Sequence, residues 1–362
     1  MRKFCYKSGF MRFKKVTAVP IGNPGVSGST NADYGRVTST IANAQKKARD
    51  MVFQLVLPHL TGCPQVSCVD YGCADASNSA RMWTEVVQEL GAARVSLLLN
   101  DLHFANRERL VENQERIRPR QVTLKEGSYL SSLALPGSVN FAFTSFTVHW
   151  CAALVGAESS HVYPHEQGIP SASVLEFAKK AQGEMAHFFD LRYQEMSKGG
   201  FFLMINLVRP DSPADTWNSR LFYETMQMIL SEMRESGELR LDELPQTLIY
   251  PAFFRTPDDI IGAAEKAGFR VMNPDAREIV VIPCAFYEKT AEGTKNMDSF
   301  CQQIIDYAFA WSEGSLRAAL RCDEARKNLL VSQIKAKYQK HVEKSPGRFQ
   351  NPVTVQYLLL GK

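Results

Sequence analysis

Residues 66–79 read Val-Ser-Cys-Val-Asp-Tyr-Gly-Cys-Ala-Asp-Ala-Ser-Asn-Ser, and a second apolar run, Arg94 to Leu99, ends in Asn100 and Asp101. This pair of segments constrains the fold more than anything else in the chain. The first run is short, rich in β-branched residues and halted by Gly72, as a buried parallel strand is when its carboxyl end opens on a ligand crevice. The residues after Gly72 are small. Asp101 falls at the tip of the neighbouring strand, where a ribose offers its paired hydroxyls, and the layout suits recognition of adenosine.

The glycine count separates the cofactors that such a crevice can hold. A dinucleotide site needs a G-x-G-x-x-G turn so that backbone can close on a pyrophosphate. Here Gly72 stands alone, followed by Ala74, Asp75 and Ala76. A carboxylate repels a pyrophosphate but suits the ammonium and sulfonium of S-adenosylmethionine. The pattern therefore favours the methyl donor over NAD. On these two motifs alone, an ordinary strand-turn-helix of another α/β enzyme is the alternative.

At 362 residues and 45% apolar content the chain can bury a substantial core in one elaborated α/β domain or two smaller ones. No run approaches the ~18 apolar residues of a membrane span, so a soluble, cytoplasmic protein without membrane contact is expected. The formal charge of +4 is small, and scattered Lys and Arg without interleaved aromatics do not indicate a nucleic-acid partner. The eight cysteines lack any C-x-x-C pair, which argues against disulfide or zinc frameworks and for a reducing compartment. Cys68 reads as a small core residue. His161 and His165 share a Pro- and Ser-containing stretch and, lacking a nearby partner, read as solvated rather than metal-bound. Residues 1–32 carry Arg2, Lys3, Lys7, Arg12, Lys14 and Lys15 and no acidic residue. That composition fits an organelle-targeting leader or a flexible tail.

Periodicity orders the rest. Ile41, Ala44, Ala48, Met51, Val52 and Leu55 fall on one side of a helix preceding the first strand. Met82, Val86, Val87 and Leu90 form another helix that stops at Gly91 before the second strand. Val139–Phe143 reads as a strand, Leu175 to Phe188 as a helix, and Phe201–Val208 as a strand introduced by Gly199 and Gly200. Alternating strands and helices predict a doubly wound α/β sheet. From Pro210 to about Trp311 the alternation weakens into helical patterns, which predicts an inserted, mainly helical cap, and Val353–Leu360 returns as a strand. The expected division is a leader at 1–32, a core of 33–210 plus 321–362, and a cap at 211–320.

Several motifs in this order resemble the SABATH family of S-adenosylmethionine-dependent carboxyl and N-methyltransferases. Asp70-Tyr-Gly-Cys-Ala-Asp-Ala-Ser-Asn78 is similar to the family's D-x-G-C-x-x-G-x-N turn, and Leu99-Asn-Asp-Leu102 to its L-N-D-L motif. Gly127-Ser-Tyr129 is similar to its G-S-F segment, and Thr144-Ser-Phe-Thr-Val-His-Trp150 to its S-S-Y-S-L-H-W acceptor motif. Tyr250-Pro-Ala-Phe-Phe-Arg-Thr-Pro-Asp-Asp259 resembles the cap segment, and Tyr34 to Gln45 loosely follows Y-x-x-N-S-x-x-Q. The resemblance implies a Rossmann-like class I methyltransferase sheet and a homodimer. It also implies cofactor contacts at Tyr34, Ser39, Asp70, Gly72, Cys73, Asn78, Asp101, Leu102, Ser128, Tyr129 and Ser145.

Methyl transfer to a carboxylate is an in-line displacement by a nucleophile already ionised at neutral pH, so no general base is needed. Gln45 and Trp150 are expected to hold one carboxylate oxygen through N–H donors, with His149 orienting the acceptor. Phe146, Trp217, Phe222, Met226 and Phe253 are expected to line an apolar pocket for a small acid. Three departures bear on substrate: Ala76 replaces the turn glycine, Phe146 replaces a frequent Tyr, and Pro251 replaces the Asn of the cap motif. The last argues against the metal found near the cap in some relatives, and no metal is expected. N-methylation of a heterocycle, a non-catalytic binding protein on the same fold, and a dehydrogenase remain alternatives.

Overall fold

The computed structural model describes residues 39–102, 106–165, 169–210, 220–287, 296–350 and 352–362. The expected leader, Tyr34 and Trp217 lie outside them. Eight strands form one sheet: β1 (Val66–Tyr71), β2 (Val95–Asp101), β3 (Gln121–Glu126), β4 (Val139–Ser145), β5 (Met196–Leu207), β6 (Arg270–Val271), β7 (Val280–Ile282) and β8 (Val353–Gly361). Their order is β3-β2-β1-β4-β5-β8-β6, with β7 also paired to β8. The first five strands run parallel, and β8 runs antiparallel to β5. The winding reverses between β1 and β4, and a crevice opens there beyond the strand carboxyl ends.

Eight principal helices cover the sheet or stand beside it: α1 (Ser39–Met51), α2 (Ala80–Leu90), α3 (Arg107–Ile117), α4 (Ser171–Glu195), α5 (Arg220–Glu235), α6 (Pro257–Lys266), α7 (Met297–Ala319) and α8 (Glu324–Lys344). Strand alternation decides what each face meets. Val66 and Cys68 join the core under α1 and α2, whereas Val69 and Tyr71 join the core under α4 and α6. By the same alternation Asp70 points toward α2, where the Trp83 indole N–H donates to it at 2.8 Å. Cys68 is buried, and burial pushes its thiol up to about 12, so it is the inert core residue expected.

The apolar face of α1 is as expected except at Leu55. Residues Val52–Val56 form a π-helical turn, which inserts one residue and shifts the helical phase. Val56 thereby takes the inward position, and Leu55 is 38% exposed. Leu175, in the first turns of α4, is likewise exposed. Strand β8 is buried along its whole length, and the Tyr357 hydroxyl donates to the Ala44 carbonyl of α1 at 2.7 Å.

A separate apolar cluster joins α5, α7 and α8. Two segments cross the contiguous boundaries expected from sequence. Residues 257–282 rejoin the sheet through α6, β6 and β7, while α8 packs against α5 and α7. Among the described residues no helix is long and apolar enough to cross a membrane.

Candidate active site

The crevice at the strand ends is a single cleft of 1290 Å³, its open mouth included. One wall begins at the tip of β1. Gly72 has φ +71°, and its amide and that of Cys73 both donate to the Asn100 carbonyl, at 2.8 and 3.0 Å. A Cβ at Gly72 would meet Thr147 Oγ1 at 2.3 Å, so glycine is required for two reasons at once. Ala74 and Ala76 also have positive φ, and the Ala74 amide donates to Asp101 Oδ2 at 2.8 Å. The turn is braced from α3, where Asn113 Nδ2 donates to the Asp75 carbonyl at 2.8 Å. Two alanines stand in a backbone region that costs of order 1–3 kcal/mol each, and such strain persists only where its surroundings enforce it.

Burial, with Asp101 nearby, raises the Asp70 carboxyl to about 6 against the opposing bonds from Ser79 and Trp83. Burial and the neighbouring carboxylates also hold the Cys73 thiol well above its usual range, so it is no nucleophile.

A second piece of this wall, residues 128–130, hangs from a buried ion pair. Arg192 and Glu195 approach to 3.0 Å. Arg192 also donates to the carbonyls of Tyr129 at 2.7 Å and Ser131 at 2.9 Å. Glu195 accepts from the Tyr71 hydroxyl at 2.6 Å and from the Leu133 and Ala134 amides. Removing either partner would strand a buried charge at a cost of about 3–5 kcal/mol. The Tyr129 hydroxyl in turn donates to the Trp150 carbonyl at 2.5 Å, which ties this wall to the next.

The opposite wall is aromatic: His149, Trp150, Tyr223, Phe254, Tyr307 and Trp311 line it. His149 stacks on Phe254 at 5.5 Å and leans on Trp150 at 5.1 Å. Burial, reinforced by the Arg255 guanidinium, lowers the His149 imidazole to about 3, so it is neutral at physiological pH. Arg255 is itself fixed by donating to the Val148 carbonyl at 2.9 Å and the Ala181 carbonyl at 2.6 Å. Phe146, at the end of β4, adopts φ +57° and donates its amide to the Ile205 carbonyl at 2.9 Å. Gln45 of α1 reaches across with Nε2 to Ser145 Oγ at 3.4 Å. Three buried polar atoms on this side have no hydrogen-bond partner: Gln45 Oε1, His149 Nδ1 and Trp311 Nε1. Asn100 Oδ1, on the other side, is a fourth such atom in the cleft lining, and further ones lie outside the cleft among the described residues.

The profile of the SAM-dependent carboxyl methyltransferase family matches residues 22–355. The chain belongs to that family. S-adenosylmethionine is accordingly its methyl donor, and the chain is an enzyme of methyl transfer. Among its relatives, a 3,7-dimethylxanthine N-methyltransferase of Camellia sinensis is 21% identical over 326 residues, covering 82% of this chain and 88% of the relative. A methyltransferase of Gibberella fujikuroi is 20% identical over 271 residues, 71% of this chain and 73% of that protein. Among solved structures, loganic acid methyltransferase with SAH superposes with a TM-score of 0.69 at 14% identity, over 91% of this chain and 94% of that one. That likeness fixes the class I methyltransferase fold.

The methyltransferase cleft gathers most residues singled out in the sequence. Gln45, Asp70, Gly72, Cys73, Asn78, Asp101, Leu102, Ser128, Tyr129, Ser145, Phe146, His149 and Trp150 all line it. Ser39 opens α1, outside the lining. Phe222 and Met226 do not line the cleft; α5 turns them into the helical core beside α7 and α8. Phe253 is also displaced, into a small cluster with Cys151, Leu154 and Phe177. In both segments the adjacent residue, Tyr223 or Phe254, takes the lining position. His165 is not a solvated loop residue: burial holds it neutral, lowered to about 3, and its Nε2 accepts from the Phe254 amide at 2.9 Å. Arg192, Glu195 and Arg255 support the cleft without touching it and carried no recognisable sequence signal. Tyr307 and Trp311 lie on α7, one helical turn apart, a spacing that alone does not separate pocket from core.

Proposed function

We propose that this enzyme methylates the carboxylate of a small, largely apolar acid to its methyl ester. The observation that carries the reading is the acceptor wall itself. It offers N–H donors and aromatic surface, and its imidazole, lowered to about 3 by burial, is only a weak base at neutral pH. Among the described residues of that wall an acceptor that must lose a proton meets only this weak base, whereas a carboxylate is already ionised.

The residues present fit the donor. Asp101 would take the ribose hydroxyls, Asp70 the ammonium, and Ser128 and Tyr129 would flank the adenine. Gly72, Cys73, Asn78, Leu102 and Ser145 would complete the cradle. When bound, S-adenosylmethionine supplies an electrophilic methyl group on a positively charged sulfur. Gln45 Nε2 and the Trp150 indole N–H would hold one carboxylate oxygen and leave the other free to attack, with His149 orienting the acceptor. Such positioning in a dry site can remove roughly 7–11 kcal/mol of barrier that would otherwise go to bringing reactants together.

Calorimetric titration with S-adenosylhomocysteine, followed by a radiolabelled methyl-transfer screen over carboxylic acids and N-heterocycles, tests the reading. The expected result is binding and base-labile label on an acid. Base-stable label on a heterocycle would move the acceptor to nitrogen, in line with the name of the Camellia relative. Failure to bind S-adenosylhomocysteine would overturn both.

A further inference from the structure

Tyr129 is pinned at three points. Its carbonyl accepts from Arg192 at 2.7 Å, its ring meets Phe188 edge-on at 5.6 Å, and its hydroxyl donates to the Trp150 carbonyl at 2.5 Å. Burial holds that hydroxyl well above its usual titration range, so it stays a donor. A phenylalanine would keep the ring contact and lose the bond to Trp150. Residues 149–151 are in turn laced to the 251–253 segment: the Cys151 amide donates to the Pro251 carbonyl at 2.8 Å and the Phe253 amide to the His149 carbonyl at 2.7 Å. Tyr129, His149, Trp150 and Phe254 line the cleft, whereas Cys151 and Phe253 do not. One hydroxyl therefore joins the loop on the donor side to two main-chain segments of the aromatic wall.

We infer that Tyr129 is a positioning residue that couples the two walls: its hydroxyl fixes the Trp150 main chain, so a cofactor that orders residues 128–130 also orders the segments 149–151 and 251–254. The inference rests on the reading above for the adenine beside Tyr129 and the acceptor beside Trp150. A ligand that rigidifies a segment lowers the ordering entropy left to whatever binds next, so the acceptor should prefer the cofactor-loaded enzyme. Linkage makes the effect reciprocal. Thr147 offers a parallel path, since its hydroxyl donates to the Gly72 carbonyl at 3.3 Å and its carbonyl accepts from the Trp150 amide at 3.1 Å. The Tyr129 path differs in starting from the loop placed against the adenine.

The wild type and Tyr129→Phe, as full chains, are compared by amide hydrogen exchange read residue by residue, with and without saturating S-adenosylhomocysteine. The Ser131 amide, bonded to the Ser128 carbonyl at 3.0 Å, reports on the loop, and the Cys151 and Phe253 amides report on the far segments. Expected in wild type is slowing of all three by about tenfold on binding. In Tyr129→Phe the slowing at Ser131 should persist, while that at Cys151 and Phe253 should fall to about twofold, the remainder carried by Thr147. The difference is the scale of one neutral hydrogen bond. Equal slowing at Cys151 and Phe253 in both proteins overturns the inference, as does wild-type slowing confined to Ser131. So does a variant whose β8 amides exchange faster without ligand, which would make the hydroxyl a prop of the fold. No slowing at Ser131 in wild type would remove the placement of the donor beside Tyr129, and the inference with it.

Discussion

The two walls of the cleft handle their polar atoms in opposite ways. On the side of the β1 and β2 tips, backbone amides and carboxylates are already joined to one another, with Asn100 Oδ1 the buried exception. On the side of α1, α5 and α7 the lining is largely aromatic, and Gln45 Oε1, His149 Nδ1 and Trp311 Nε1 are buried without a hydrogen-bond partner. A prebuilt wall costs little to order when its ligand arrives, which suits a donor that never changes. A wall built mainly of aromatic rings has few polar bonds of its own to hold it, so the shape of those rings decides what fits.

Substitutions that act on one wall alone should separate these roles. Gly72→Ala should be the most damaging: its Cβ strikes Thr147 at a backbone angle that alanine resists, and S-adenosylhomocysteine affinity by calorimetry should fall by about 100-fold or more. Gln45→Ala should lower kcat/KM by about 30-fold, equivalent to roughly 2 kcal/mol of transition-state binding, while S-adenosylhomocysteine affinity stays within about twofold. Equal losses in both quantities would erase the distinction between the walls.

Smaller effects sharpen it. Asp70 is raised from 3.8 to about 6, so it becomes ionised only as pH passes about 6, and the ammonium of the cofactor favours the ionised form. Cofactor affinity should fall about tenfold between pH 7.5 and pH 5, and Asp70→Asn should flatten that slope. The same shift has the opposite sign for the unliganded fold: the unfolded carboxyl ionises first, so Asp70 lowers stability as pH rises from about 4 to 6. A stability curve rising over that window in wild type relative to Asp70→Asn would contradict the burial argument. Met226→Leu should cost under about 1.5 kcal/mol in thermal or denaturant unfolding and leave kcat/KM unchanged, since Met226 lies outside the cleft lining.

The donor wall was legible because it is local. Gly72, Asp101 and the small residues between them are adjacent in sequence or at the tips of neighbouring strands, and strand alternation carries them to one place. The acceptor wall draws on α1, the end of β4, the 250–255 segment, α5 and α7, and its residue types were readable while their phase was not. Phe222 and Phe253 were each one position from the lining residue, Tyr223 and Phe254, because a single step turns a side chain by about 100° in a helix or to the opposite face of an extended segment. Leu55 failed for a similar reason, since a π-helical turn has no periodicity signal of its own. Strand β3 has no sequence signature, since Gln121–Glu126 is a largely exposed edge without an apolar run. Arg192 and Glu195 were invisible for another reason: charged residues at helical spacing are ordinarily solvated, and only the assembled loop over them reveals their burial.

The bond from Tyr357 to Ala44 links a helix near the beginning of the described chain to a strand near its end. Translation proceeds in one direction, so α1 emerges from the ribosome long before β8 exists to seat it. Gln45 is carried by α1 and Val353 of β8 borders the same cleft, so the cleft takes lining residues from both of these elements. Disturbing β8 at Tyr357 therefore reaches the helix that carries Gln45, although Tyr357 itself lies outside the cleft lining.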